Sequence, residues 1–285
     1  MKRLAAVGAF FLLASVFSSS AGYADCRFWA AVGEKVPADV ILHQLTTDSV
    51  CLKVLGKEYK DGWAVGYYKD NTVFINRGSK SANEDDNFDV AVKDAADENP
   101  NVVVAHLRLA SSGCVGGIPN PHPFKRTLGG KIWLFGHNGT IAKDILIRLL
   151  GEDYLKARPP SVCSEHPPDS WIDSELYFLL LLKSIEANDG RVVEGIQAAL
   201  AQLEAALGTS HKALNFFLTD GKNVWAFRNG PTLFYRYDQA DALSVVASTP
   251  SENDGRWQEI DNDVLVVMTP QDSPRLIAFH FSENP

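Results

Sequence analysis

A chain of 285 residues with 46% hydrophobic side chains is long enough to bury one large core. Its 27 Lys and Arg against 35 Asp and Glu give a formal net charge of −8, which argues against nucleic acid or an anionic lipid surface as partner, since both require a basic face. The four cysteines form no CxxC pair, so the usual spacing of a structural zinc site is absent, and neither a metal nor a cofactor is expected.

Lys2 and Arg3 precede an apolar run from Leu4 to Phe17, followed by Ser18, Ser19, Ser20 and Ala21 and then Gly22-Tyr23-Ala24. A positive start, an apolar stretch and small residues at a cleavage point are the layout of a secretory signal. The run is shorter than the roughly 20 residues of a membrane-spanning helix, so no stable membrane anchor is expected. Cleavage after Ala24 would remove two positive charges and no negative ones, leaving a net charge of −10. Residues 1–24 are therefore expected to be a signal peptide and the protein to be exported, periplasmic or secreted. No linker, repeat or low-complexity tract divides residues 25–285, which predicts a single domain.

Asp25-Cys26-Arg27-Phe28-Trp29 comes next. In an exported protein a cysteine here reads plainly as half of a disulfide. The chemical reading makes Cys26 the new N-terminus, with an α-amine of unperturbed pKa about 7.7–8.0 beside its own thiol as a general base. Phe28–Val32, Trp63–Tyr68, Thr72–Asn76, Val102–Leu107 and Ile132–Phe135 are rich in β-branched and aromatic residues and predict strands, with Asp70-Asn71 a hairpin turn between two of them. Arg108 closes the fourth of these, within His106-Leu107-Arg108-Leu109-Ala110-Ser111. An arginine ending an apolar strand is costly unless it meets an anion, either an internal carboxylate or that of a substrate. In Asn120-Pro121-His122-Pro123-Phe124 the two prolines fix the backbone around His122 and keep it out of a helix. Gly136-His137-Asn138-Gly139-Thr140 is either a plain Asn-Gly turn or a pair of donors, side-chain amide and backbone N–H, for a developing oxyanion. It is also an N-x-T sequon, read as coincidental because a glycan would block that use.

Ile141–Leu150, Ile172–Ala187 and Arg191–Leu207 carry apolar residues at helical spacing. Asp173 and Glu175 suit a helix N-terminus, and Asp173 is also a candidate for a substrate ammonium. Strands return at Ala213–Thr219, Asn223–Arg228, Thr232–Tyr237, Ser244–Ser248, Val264–Met268 and Leu276–Phe279, with Asp220-Gly221 a second hairpin turn. Strands, then helices, then strands is not the alternation of a doubly wound sheet. It predicts an α+β sandwich of antiparallel sheets packed face to face, with helices outside. GxSxG, GxxxxGK[ST], GxGxxG and HExxH are all absent.

Taken in order, Cys26, Asp61-Gly62-Trp63, His106-Leu107-Arg108, Asn120-Pro121-His122-Pro123-Phe124, His137-Asn138-Gly139, Asp173-Ser174-Glu175, Thr219-Asp220-Gly221 and Ala247-Ser248-Thr249-Pro250 with Trp257 resemble the class II glutamine amidotransferases. These are N-terminal-nucleophile hydrolases, and the likeness is greatest to short stand-alone γ-glutamyl amidases. The resemblance implies a four-layer αββα sandwich. It implies Cys26 as nucleophile, Asn138 and the Gly139 N–H as oxyanion hole, Arg108 on the substrate α-carboxylate and Asp173 on its α-ammonium, with Ser111 and His122 lining the pocket. The expected substrate is glutamine or a γ-glutamyl amide, and the chain has no synthase domain to receive ammonia, which favours hydrolysis. Asp25 would block the Cys26 amine after cleavage at Ala24, so a second trimming step is expected. Cys114 and Cys163, in loops beside pocket segments, are the expected disulfide. The alternatives are an exported acylase of the penicillin or bile-salt type with an N-terminal cysteine, and a non-catalytic binder of γ-glutamyl compounds.

Overall fold

The computed structural model describes residues 26–110, 119–161, 170–208, 213–251 and 254–280. The first third contains β1 (Arg27–Val32), α1 (Ala38–Leu42) running into a π-helical turn at His43–Thr47, α2 (Leu52–Leu55), β2 (Trp63–Lys69), β3 (Thr72–Gly78), α3 (Asp86–Asp97) and β4 (Val102–Leu107). Then follow β5 (Phe124–Leu128), β6 (Lys131–Gly139), α4 (Lys143–Leu150), α5 (Glu152–Ala157), α6 (Asp173–Ala187) and α7 (Val192–Leu207). The chain finishes with β7 (Leu214–Thr219), β8 (Val224–Arg228), β9 (Phe234–Asp238), β10 (Leu243–Ala247), β11 (Gln258–Glu259), β12 (Val264–Met268) and β13 (Arg275–Ala278).

Two antiparallel sheets result, in the orders β11-β9-β10-β1-β4-β2-β3 and β13-β12-β8-β7-β6-β5. Side-chain alternation explains how they stack. Phe28, Ala30 and Val32 of β1 enter the core between the sheets, while Trp29 and Ala31 enter the core beneath α1 and α3. Phe217 of β7 joins the inter-sheet core, while Leu214, Phe216 and Leu218 pack under α4, α6 and α7. The layers are therefore helix, sheet, sheet, helix, and the expected αββα α+β sandwich is the fold. Because both sheet faces are covered, the central strands read as unbroken apolar runs. Helix α6 lies between a sheet and α7, which is why Leu176 to Leu182 are all buried.

The two sheets meet closely beside the site. Gly136 of β6 has no Cβ to spare, since one would overlap the Phe217 ring, and that ring stacks edge-on against Phe28 at 5.3 Å. Asp70 and Asn71 have φ of 48° and 62°, the left-handed pair that a two-residue hairpin demands. At the second turn the Asp220 carboxylate accepts from the N–H groups of Lys222 and Asn223, and Gly221 has φ 84°.

Sequence pattern misses α1, α2, α3, α5, β5 and the two-residue β11. The first two are too short for a 3.6-residue period to register. In α3 three of the five buried residues are alanines (Ala91, Ala95, Ala96), which weakens the apolar stripe, although Asp85 caps it through the Asn87 N–H. Strand β6 also continues four residues past its predicted end at Phe135, through His137 and Asn138.

Candidate active site

Cys26 stands at the head of β1, 9% exposed, and continuing the strand alternation puts its side chain on the inner face with Phe28. Its Sγ accepts a hydrogen bond from the Leu109 N–H at 3.4 Å. Arg27 lies on the opposite face, over the Tyr59 ring at 4.8 Å, and donates to the Cys26 carbonyl at 3.0 Å. Beside Cys26, Arg108 follows the last residue of β4. Its N–H donates to the Gly62 carbonyl at 2.9 Å and its carbonyl accepts from the Asp61 N–H at 3.1 Å, so the β2–β4 pairing is prolonged to hold it. The Arg108 residue is only 4% exposed. Burial pulls its pKa down, and the opposing charges of Cys26, Asp61 and Asp173 push it back up. A buried guanidinium is the group whose fork geometry matches a carboxylate, and Asp61 and Asp173 offset its charge here.

Strand β6 faces β1 across the sandwich, and its end supplies Asn138 and Gly139. Asn138 is fully buried, yet among the described residues neither its Nδ2 nor its Oδ1 has a hydrogen-bond partner. An unpaired buried amide costs roughly 1–3 kcal/mol, so a fold keeps one only where something else uses it. The ladder also fixes the direction of the Gly139 N–H. Leu214 gives its own N–H to Asn229 on the β8 side, so its cross-strand pair with Gly139 is a non-hydrogen-bonded one. The Gly139 N–H accordingly turns away from β7, and β5 covers β6 only as far as Phe135. Asn138-Gly139 is thus a strand end with two donors available, which removes the plain-turn reading. The asparagine of the sequon is thus itself buried.

Three histidines pack beneath these residues. His106 donates through Nε2 to the His137 carbonyl at 3.3 Å, and its Nδ1 accepts from Asn120 Nδ2 at 2.9 Å. Because a carbonyl can only accept and an amide NH₂ only donate, the tautomer follows: Nε2 carries the proton. Burial holds the His106 pKa down at about 3. His122 stacks on His106 with ring centroids 4.0 Å apart, and burial keeps it neutral too. Asn120 binds both the N–H and Nδ1 of His122. His122 is therefore buried beside Arg108 rather than sitting in an open loop.

Asp173 opens α6. Its Oδ2 accepts from the Ile141 N–H at 2.9 Å; Asp173 and Glu175 both lie in the first turn of α6, as acidic residues at a helix N-terminus should, and the N-cap position itself falls to Ile172. Its neighbour Ser174 reaches His137 Nδ1 at 2.9 Å. Glu175 is wholly buried and structural, accepting from Arg126 and from the N–H and hydroxyl of Ser161. Cys26, Arg108, Asn138, Gly139, His122 and Asp173 are thus gathered at one end of the two central strands. Ser111, Asp25, the signal segment 1–24 and the Cys114–Cys163 pair lie outside the described residues. Cys51 is a free, buried thiol whose pKa burial raises.

Two contributors carried no assigned role in the sequence. Asp61 accepts from the Ala110 N–H at 2.7 Å and lends its charge to Arg108. Ser174 is the other, and its adjacency to Asp173 was the available signal. Among the described residues, no group of three His, Cys, Asp or Glu side chains could hold a metal ion, and no helix is long and apolar enough to cross a membrane.

The family model described as "Glutamine amidotransferases class-II" matches residues 38–237, a span that contains Arg108, Asn138, Gly139 and Asp173 and starts after Cys26. The chain is 28% identical over 218 residues to the "Putative glutamine amidotransferase YafJ" of Escherichia coli K12, covering 75% of this chain and 78% of that protein. In structure it is similar to a class II glutamine aminotransferase domain protein of Silicibacter pomeroyi, with TM-score 0.58 and 19% identity over 90% of this chain and all of that one. It also superposes on the glutamine phosphoribosylpyrophosphate amidotransferase of B. subtilis with TM-score 0.61 and 14% identity, covering 91% of this chain and 50% of that enzyme. These two likenesses establish the sandwich fold, and the matched family model establishes the lineage: the chain belongs to the class II glutamine amidotransferases.

Proposed function

We propose that the protein hydrolyses the side-chain amide of glutamine or another γ-glutamyl amide through a thioester on Cys26. The observation that carries this reading is Asn138, fully buried with both amide atoms unpartnered among the described residues, on a strand facing the Cys26 strand. In this mechanism the Cys26 sulfur attacks the amide carbon while its thiol proton passes to its own α-amine. Asn138 Nδ2 and the Gly139 N–H hold the oxyanion. The α-amine returns the proton to the departing amine, and the C–N bond breaks to leave a glutamyl thioester. Water then adds to the thioester carbon with the α-amine again as base, releasing glutamate and the thiol. Arg108 takes the substrate α-carboxylate, and Asp173, whose second oxygen is not needed by Ile141, takes the α-ammonium. Ser111 and His122 complete the pocket lining.

The amine of Cys26 must be free for this chemistry. The proposal therefore includes export directed by residues 1–24 and a further trimming step that removes Asp25, autocatalytic or by an aminopeptidase. The test compares a γ-glutamyl anilide with an acyl anilide lacking the amino-acid head, with intact mass recorded on the same sample. Turnover of the first alone, by protein that begins at Cys26, is expected. Preference for the headless acyl anilide would replace this reading with an acylase, and turnover by protein retaining Asp25 would refute the proton route.

A further inference from the structure

Among the described residues the Asn138 side chain has no hydrogen-bond partner to orient it, so its aim depends on the backbone that carries it. That backbone is held by the ring of the preceding residue. His137 points to the helix side of β6, where Trp133 and Phe135 also point, and is 1% exposed. Its Nε2 lies 3.3 Å from the Ala213 carbonyl, an acceptor only, so Nε2 carries the proton and Nδ1 accepts from the Ser174 hydroxyl at 2.9 Å. The Ala213 carbonyl is also the group that a Cβ on Gly139 would strike. Ala213 has φ 121°, a backbone conformation that residues other than glycine rarely adopt and that neighbouring contacts must hold. One ring thus links three things: the first turn of α6 that presents Asp173, the carbonyl against which Gly139 is seated, and the strand end that carries Asn138.

We propose that Ser174 and His137 are positioning residues that set the oxyanion hole through the Ser174–His137–Ala213 chain. Ala213 sets the His137 tautomer, Ser174 holds the ring by its Nδ1, and the ring in turn fixes Ala213 and with it the height of the Gly139 N–H beside Asn138. Neither side chain touches substrate. Loss of the hydroxyl removes the Nδ1 bond that ties the ring to α6 and loosens its seat against Ala213. The consequence falls on transition-state stabilisation rather than on substrate binding. This inference rests on the reading of Asn138 and Gly139 as the oxyanion hole.

The test uses the full-length processed protein with a γ-glutamyl anilide. Ser174→Ala is expected to lower kcat about tenfold with KM unchanged, a part of the roughly 10²–10³-fold that removing an oxyanion donor costs. Ser174→Thr, which keeps a hydroxyl, restores most of the rate. His137→Gln retains a donor toward Ala213 and loses the bond to Ser174, so it matches Ser174→Ala, and the double variant is no worse than either single one. A lower melting temperature with kcat intact in both single variants, a rise in KM instead of a fall in kcat, or additive losses would each overturn the proposal. Asn138→Ala run alongside separates the two levels. If it keeps full kcat, the oxyanion reading itself fails. If it loses rate while Ser174→Ala and His137→Gln do not, only the positioning role fails.

Discussion

Asn138 and Asn215 stand opposite each other on β6 and β7, and both are wholly buried. Asn215 is fully engaged: its Nδ2 donates to the Pro231 carbonyl at 2.7 Å and its Oδ1 accepts from the Asn229 N–H at 2.8 Å. The Asn138 side chain has no hydrogen-bond partner among the described residues. The same side chain in the same ladder is therefore a fastener in one strand and an unfilled socket in the next. Burial alone does not tell a structural polar group from a functional one; the state of its hydrogen bonds does. The same contrast separates Glu175, which accepts three hydrogen bonds on one oxygen, from Asp173 two residues away, which accepts from Ile141 on Oδ2 and keeps capacity for a ligand on its other oxygen.

Substitution can break that contrast at several levels. Cys26→Ala should abolish turnover, by on the order of 10⁴-fold or more, with the circular dichroism spectrum unchanged, since only the sulfur is lost. Asn138→Ala should cost about 10²–10³-fold in kcat and leave the melting temperature within a degree or two, because no hydrogen bond to a described residue is removed. Asn215→Ala should do the reverse. It strands the Asn229 N–H and the Pro231 carbonyl, and denaturant unfolding should report a loss of about 2–4 kcal/mol with catalysis per folded molecule retained. If the two alanine variants showed the same profile, the distinction between socket and fastener would be lost.

The smallest effect concerns pH. His106 has a folded pKa of about 3 against an ordinary value of about 6.5, so the unfolded chain takes up the proton first. Stability is full above about pH 6.5 and falls as the pH drops toward 3, by about 1.4 kcal/mol per unit for this residue. His122, also held neutral by burial, acts in the same direction. Urea titrations at stepped pH should show this slope, and His106→Gln should flatten it; an unchanged slope would assign the acid sensitivity elsewhere.

Much of this architecture was legible in the residues. The central strands and the long helices announce themselves through period and composition, and Asp70-Asn71 and Asp220-Gly221 through turn chemistry. The clusters holding Arg108, Asn138 and Asp173 were visible as polar residues set at the ends of apolar runs. What the sequence concealed has physical causes. Strand β6 was cut short because His137 and Asn138 are polar, and only tertiary pairing with β7 keeps them extended. The alanine-rich face of α3 gives little apolar contrast. Asp173 was legible as an acidic residue at a helix N-terminus, but its carboxylate also binds Ile141, a partner 32 residues distant that no local pattern announces. The role of Ser174 depends on a histidine from another element, and Asp61 meets Arg108 only once β2 and β4 are paired.

The claim on which the rest depends is that Cys26, as a free N-terminal residue, carries the acyl group. Acid-quenched samples taken during turnover of a γ-glutamyl anilide, digested and analysed by mass spectrometry, test it directly. The account predicts an N-terminal peptide that begins at Cys26 and carries one glutamyl group, present during turnover and absent once substrate is exhausted. Steady turnover with that peptide never acylated, or with Asp25 still attached to it, would contradict the account.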